Sequence, residues 1–135
     1  MKSFKLTIIT PEREKFSGEA ESLIVRTTEG DVQILAGHAS YFAALGTGRV
    51  KLQLPGGETK VASASGGILS VGDKEVTLLP ATFEFSGEID LARAVRAKEK
   101  AEKLLASAKE EREINHAKLK LMRALSRISV ADNKR

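Results

Sequence analysis

The sequence predicts an α+β fold: an N-terminal β-sandwich (a flattened barrel) over residues 1–85, followed by a C-terminal antiparallel two-helix hairpin over residues 86–135. Three observations carry this. Up to about residue 85, short runs rich in Val, Ile, Leu and Thr alternate with glycine-containing turn signals, the spacing expected of an all-β domain that closes on itself to protect its edges. From Asp90 to Val130 there is neither Gly nor Pro, and helix formers dominate. The charge divides at the same place. Residues 1–85 hold nine Lys/Arg against ten Asp/Glu, whereas residues 86–135 hold thirteen against eight, a net of +5.

The predicted strands are Lys5–Thr10, Ser22–Thr27, Val32–Leu35, Tyr41–Leu45, Val50–Leu54, Lys60–Ala64, Ile68–Val71 and Val76–Leu79. Ser17-Gly18, Glu29-Gly30-Asp31, Ala36-Gly37-His38, Gly46-Thr47-Gly48, Pro55-Gly56-Gly57 and Gly72-Asp73 read as turns between them. Alternation is clearest in Val50-Lys51-Leu52-Gln53-Leu54, which puts three apolar side chains on one face. Pro55-Gly56-Gly57 can supply the positive φ of a tight hairpin.

The helical period starts near residue 88. Asp90 is suited to cap the first helix, because its carboxylate can accept from free N–H groups two or three residues on. Ala94, Ala97, Ala101, Leu104 and Ala108 form one stripe, and Ile114, Ala117, Leu121, Ala124 and Ile128 form a second. The polar stretch Lys109–Glu113 separates them and suits the turn of an αα-hairpin, although no residue there forbids one long helix. A seam made mostly of alanine methyls is weak, since a buried CH₂ contributes only ~0.8 kcal/mol. A ligand or partner can therefore decide between closed and open positions.

Composition narrows the function. There is no Cys, so disulfides and thiolate metal sites are excluded. MKSFKLTIIT does not read as a signal peptide, and no run approaches the ~20 apolar residues of a membrane helix. Membrane association is expected only through a partner. Neither G-x-x-x-x-G-K-S/T nor G-x-G-x-x-G occurs. Ser63-Ala64-Ser65-Gly66-Gly67 resembles a nucleophile turn only loosely, and His38 and His116 are too few for a His-centred site. No catalytic residue and no metal site are expected.

The chemistry-bearing constellation is cationic. Arg93 and Lys100 share one side of the first helix; Lys120, Arg123 and Arg127 share one side of the second, which has no acidic residue from Ile114 to Ala131. A closed hairpin would gather these charges, and they would repel until a multivalent anion arrived, arginine forks being suited to phosphate oxygens. The residues alone favour a solvated basic face, since such faces are common on helices.

Thr27-Thr28-Glu29-Gly30-Asp31-Val32-Gln33-Ile34-Leu35-Ala36-Gly37-His38 resembles the signature T-E-G-D/E-x-G-I-L-x-G-H of the epsilon subunits of F-type ATP synthases, with Gln33 where glycine is usual. Ser65–Val71 with Val76–Leu79 is similar to that family's second sandwich motif, and Arg123–Val130 to its closing helix. The resemblance runs from residue 3 to about 131. It implies a non-catalytic, peripheral rotor subunit on the cytoplasmic face of the cell membrane. The sandwich would clamp the gamma subunit and sit on the rotor ring of c subunits through the loop holding Asp31 and His38. The helices would fold down on the sandwich or extend to an acidic loop of the beta subunit and block hydrolysis.

Ile89-Asp90-Leu91-Ala92-Arg93-Ala94 also fits I/L-D-x-x-R-A, the pattern of family members that bind ATP. By that resemblance Glu84, Ile89 and Asp90 serve the base and ribose side, Arg93, Lys100, Arg123 and Arg127 the phosphates, and Ala94 belongs to the same ATP-binding set. ATP, with or without Mg²⁺, is then a regulatory ligand. Two alternatives stand beside this reading: a rotor subunit without nucleotide sensing, and a small nucleic-acid-binding protein using the basic helices. The acidic residues among 88–113 oppose the latter.

Overall fold

The structure, a computed structural model, describes residues 2–132. Lys134 and Arg135, two cations of the predicted helical half, lie outside the described residues. Eight strands are followed by a short 3-10 turn and two helices. The strands are β1 (Phe4–Ile9), β2 (Glu14–Ala20), β3 (Ser22–Thr27), β4 (Gly30–Leu35), β5 (Tyr41–Ala44), β6 (Thr47–Gln53), β7 (Thr59–Val71) and β8 (Glu75–Phe85). The turn is Ser86–Glu88, and the helices are α1 (Leu91–Ser107) and α2 (Glu111–Asp132).

The strands form one ladder in the order β2-β1-β8-β7-β6-β3-β4, with β5 also pairing β7. All pairs are antiparallel except β1 with β8. The ladder folds over itself because β7 and β8 run through both layers of the sandwich. Gly67 makes this possible. It has φ +98, opposes Pro80, and a Cβ there would stand 1.9 Å from the Leu79 carbonyl oxygen. Gly56 and Gly57, both at φ +94, turn the chain between β6 and β7 as predicted. The inward faces enclose an aliphatic core of Leu6, Ile8, Leu23, Val25, Ile34, Val50, Leu52, Leu69 and Leu78, with Phe83 at one end.

Four strand expectations change. Thr47 and Gly48, read as part of a turn, open β6 and pair with Ser65 and Ala64 of β7. Ser17-Gly18 is no turn but lies inside β2, whose few apolar residues hid its alternation. Lys60–Ala64 and Ile68–Val71 are one strand, joined through the Gly66-Gly67 bend. The run at Val76–Leu79 continues to Phe85, since Pro80 is fully buried at that bend without stopping the strand.

The helices form the predicted hairpin, turning at Ala108–Glu110. Glu111 and Glu113 fall in the first turn of α2, where the helix dipole favours them, and Glu113 accepts from the Glu110 N–H. Ala94, Ala101, Ala117 and Ala124 are buried in the seam. Ala97 and Leu104, expected in the seam, are not buried; half-buried Lys98 and Leu105 flank Ala101 instead. Both sets keep a spacing of three and four, so packing rather than periodicity chose the face.

The hairpin lies down on the sandwich through α2. Val130 is fully buried. Around it the contacts are polar: Arg49 Nη2 donates to Ser129 Oγ at 3.1 Å, the Ser63 and Ser126 hydroxyls pair at 2.7 Å, and Arg123 Nε donates to Ser65 Oγ at 2.9 Å. Arg127 Nε donates to Glu84 Oε1 at 2.5 Å. No helix among the described residues is long and apolar enough to cross a membrane.

Candidate functional site

The site lies where the sandwich hands over to the helices. Strand β8 delivers Thr82, Phe83 and Glu84. The 3-10 turn brings Glu88 and Ile89, and α1 starts at its cap, Asp90, whose Oδ1 accepts from the Arg93 N–H at 3.1 Å. From the far end of the chain, α2 adds Arg127. Together with Glu12, Ala94 and Ala97, these residues line a cavity of about 410 Å³. Its wall combines the sandwich with both helices, so the cavity exists only while the hairpin is down.

Six of the residues singled out for nucleotide contact meet here: Glu84, Ile89, Asp90, Arg93, Ala94 and Arg127. Lys100 and Arg123 are not among the lining residues. Lys100 is exposed on α1, and Arg123 is turned to Ser65, which also pairs with Thr47 Oγ1 at 2.7 Å. Of the expected cations, Arg93 and Arg127 line the cavity. The cavity holds four carboxylates, Glu12, Glu84, Glu88 and Asp90, against the guanidiniums of Arg93 and Arg127. Two of these acids, Glu84 and Asp90, were expected there; the β1–β2 loop adds Glu12 and the 3-10 turn adds Glu88, which helix periodicity cannot foresee.

Glu88 is the residue that sequence reading missed most. Its Oε1 accepts the Phe85 N–H at 2.9 Å, and its Oε2 pairs with Lys15 Nζ at 3.0 Å and Arg13 Nη2 at 3.6 Å. Burial pushes its carboxyl up, but the Phe85 N–H and the Lys15 and Arg13 charges outweigh this, so it titrates below its ordinary value. Its signal was faint: an acid three residues after the last strand residue and two before a helix cap.

Asp31 and His38 do not share a loop. Asp31 sits near the start of β4 and His38 in the turn after it, so most of the strand separates them, about 13 Å from Asp31 to Leu35 at ~3.3 Å per residue. Asp31 pairs across strands with Arg26, Nε to Oδ1 at 2.5 Å, and that hydrogen bond holds its carboxyl low against the opposing effect of burial. His38 stacks edge-on with Tyr41 at 5.9 Å and lines a shallower depression of about 650 Å³ with Lys2, Lys5, Asp73, Lys74 and Glu75. That depression mixes charges evenly and is remote from the hairpin's root.

The sandwich also carries an exposed apolar band. Register puts Phe42 and Ala44 of β5 on one face with Ile68 of β7, which opposes Leu79 of β8; Ile9 follows on β1. Phe42 is 71% exposed, and Ile9, Ile68 and Leu79 are each exposed as well. Both faces of these strands carry apolar residues, so the sequence pattern alone does not mark which face is exposed.

The chain matches two family models: "ATP synthase, Delta/Epsilon chain, beta-sandwich domain" over residues 3–86, and "ATP synthase, Delta/Epsilon chain, long alpha-helix domain" over residues 88–132. It is 44% identical over 135 residues to the ATP synthase epsilon chain of Ruminococcus albus, covering 99% of this chain and 100% of that one. It is likewise 44% identical over 129 residues to the epsilon chain of Clostridium novyi, covering 96% and 98%. Among solved structures, it is similar in fold to a chain of the Euglena gracilis mitochondrial ATP synthase, OSCP/F1/c-ring. The TM-score is 0.83 and the identity 22%, with 97% of this chain and 82% of that one covered. A chain of the Tetrahymena thermophila mitochondrial ATP synthase central stalk/c-ring gives 0.64 at 14% identity, covering 97% and 95%.

Proposed function

Since the chain belongs to the ATP synthase delta/epsilon chain family, we propose that it acts as the epsilon subunit of an F-type ATP synthase, a non-catalytic component of the central stalk. In this reading the sandwich seats on the gamma subunit through the band of Phe42, Ile68, Leu79 and Ile9, and its other end meets the ring of c subunits. The protein would be peripheral, held at the cytoplasmic face of the membrane by the complex. The helical hairpin regulates. Folded down it leaves rotation free; extended, its basic α2 meets an acidic loop of the beta subunit and restrains hydrolysis.

ATP is proposed as the ligand that keeps the hairpin down. The observation that carries this is the composite wall of the cavity, sandwich plus both helices, because a ligand held there binds the closed position alone. At a hundred times its dissociation constant such a ligand stabilises the closed position by ~2.7 kcal/mol. Asp90 and Ile89 offer the base and ribose side, and Arg93 the nearest free guanidinium. Arg127 must give up Glu84 to reach a phosphate, and Arg123 must give up Ser65. Because four carboxylates face the cavity, Mg²⁺ on the triphosphate would ease its entry.

A second reading draws on the same charges. With Arg127 already satisfied by Glu84, the hairpin can stay down without any nucleotide. Calorimetric titration of the isolated protein with ATP separates the two. Saturable heat lost on Arg93→Ala supports the sensor; no heat up to millimolar ATP leaves a stalk subunit whose hairpin is held by its own ion pair.

A further inference from the structure

The link between sandwich and helices is short: Phe85 ends β8, Ser86–Glu88 makes one turn, and Asp90 caps α1. Any movement of the hairpin away from the sandwich must be absorbed there. Within that link one side chain holds three partners on two elements. Glu88 accepts the Phe85 N–H at 2.9 Å, pairs with Lys15 of β2 at 3.0 Å, and meets Arg13 of the β1–β2 loop at 3.6 Å.

The Lys15 side chain is only 9% exposed. Among the described residues its ion partner is Glu88, so a link that swings away would leave the ammonium of a largely covered side chain without that partner. A covered side chain has fewer routes to solvent or to another partner than an exposed one. Arg13, at 70% side-chain exposure, can follow the movement into water at little cost. The turn itself is closed by one long bond, Ile89 N–H to the Ser86 carbonyl at 3.3 Å. Within the link, Glu88 is therefore the side chain that joins the turn to the sandwich by charge.

We propose that Glu88 is a hinge clasp: by joining the Phe85 N–H to the Lys15 ammonium, it aims the chain so that the hairpin lies down on the sandwich. The clasp is distinct from the Glu84–Arg127 contact. That pair ties the C-terminal turns of α2 to β8, whereas Glu88 acts within the link itself. Because Lys15 belongs to the sandwich, anything that shifts the β1–β2 hairpin would be felt directly at the pivot. The proposal rests on the two-position reading of the hairpin given above.

The test uses the full chain, whose lack of native cysteine allows two labels at exposed positions, Lys51→Cys on β6 and Lys118→Cys on α2. Distance distributions are measured without nucleotide for the parent, Glu88→Gln, Lys15→Gln and the double variant. Each single change is expected to raise the long-distance population about threefold to tenfold, and the double no further than either single. In parallel, amide exchange at Phe85 and Ile89 should quicken severalfold in Lys15→Gln. Unchanged exchange, or effects of the single changes that simply multiply, overturns the clasp. Quickened exchange with an unmoved distance distribution in every variant overturns the two-position reading, and the clasp's regulatory role with it.

Discussion

Arg127 of α2 donates its Nε–H to Oε1 of Glu84 in β8 at 2.5 Å, with both side chains about one-third exposed. The contact joins residues 43 apart in sequence and ties the end of the hairpin to the sandwich. A pair this exposed is worth roughly 1 kcal/mol, comparable with each buried alanine of the seam. It also occupies a cation that a phosphate or a partner's carboxylate would need. In the function proposed above, closed, ligand-bound and extended positions would therefore compete for the same guanidinium.

Replacing Arg123 and Arg127 together by Ala tests that competition. The isolated chain should open more readily, because the bonds to Ser65 and Glu84 are lost. In a reconstituted complex the ATPase should nevertheless be less inhibited, since the extended helix loses the charges that would dock it. Labelled-distance and hydrolysis measurements on the same variant separate the two effects. Unchanged inhibition would leave these arginines with a role in the closed position alone.

Asp90 carries two roles that one substitution confounds. Asp90→Ala removes the cap on the Arg93 N–H and should cost about 1 kcal/mol of helix stability. Asp90→Ser restores a capping oxygen without the charge. ATP affinity lost in both variants, with the melting temperature recovered only in Ser, would assign the carboxylate to the ligand. Affinity recovered along with stability would make Asp90 a cap and nothing more.

The sandwich core draws all its residues from between Phe4 and Phe85. A chain ending at Asp90, which keeps the Glu88–Lys15 pair, should therefore melt cooperatively and bind the gamma subunit. Phe42→Ser in that chain should weaken binding by tenfold or more, because a large apolar side chain at an interface centre commonly contributes above 1 kcal/mol. Its melting temperature should stay level, since Phe42 is 71% exposed. Equal affinity would move the gamma contact off this face.

Asp31 and Glu88 both titrate below their ordinary values, Asp31 through the Arg26 hydrogen bond, Glu88 through the Phe85 N–H and Lys15, which outweigh its burial. A carboxyl depressed in the folded state adds stability that is present above its unfolded pKa, roughly 4, and disappears as pH falls through the folded value. Melting temperature should thus be level from pH 7 to about 5 and decline below pH 4. The Arg26–Asp31 pair is about half exposed and screened by water, so its share is small. Lys15, Arg13, Glu12 and Glu84 surround Glu88, and Glu88→Gln should flatten part of the acid slope. An identical slope would show that Glu88 keeps no folded-state advantage.

Local chemistry is what the sequence by itself determined. A stretch without Gly or Pro must be helical once its apolar residues recur at three and four, and an Asp before it caps because a short carboxylate reaches free N–H groups. Gly56 and Gly57 had to turn, because their φ is closed to other residues. Alternation named most of the core strands. What only the tertiary structure decided depends on partners far along the chain. Gly66-Gly67 bends a strand rather than ending it because Pro80 and Leu79 lie opposite. Leu104 is exposed while Leu105 is half-buried because both fit the period, and only the neighbouring helix chooses between them. Arg123 faces Ser65 and Arg127 reaches Glu84 because α2 rests on β6 and β7, beside β8, which no spacing within α2 can specify. Glu88 becomes the pivot's clasp only because β2, a strand too polar to be read, carries Lys15 beneath it. Helix periods and turn residues are set by contacts a few residues apart, whereas charge pairing is set by whichever surface the fold brings near.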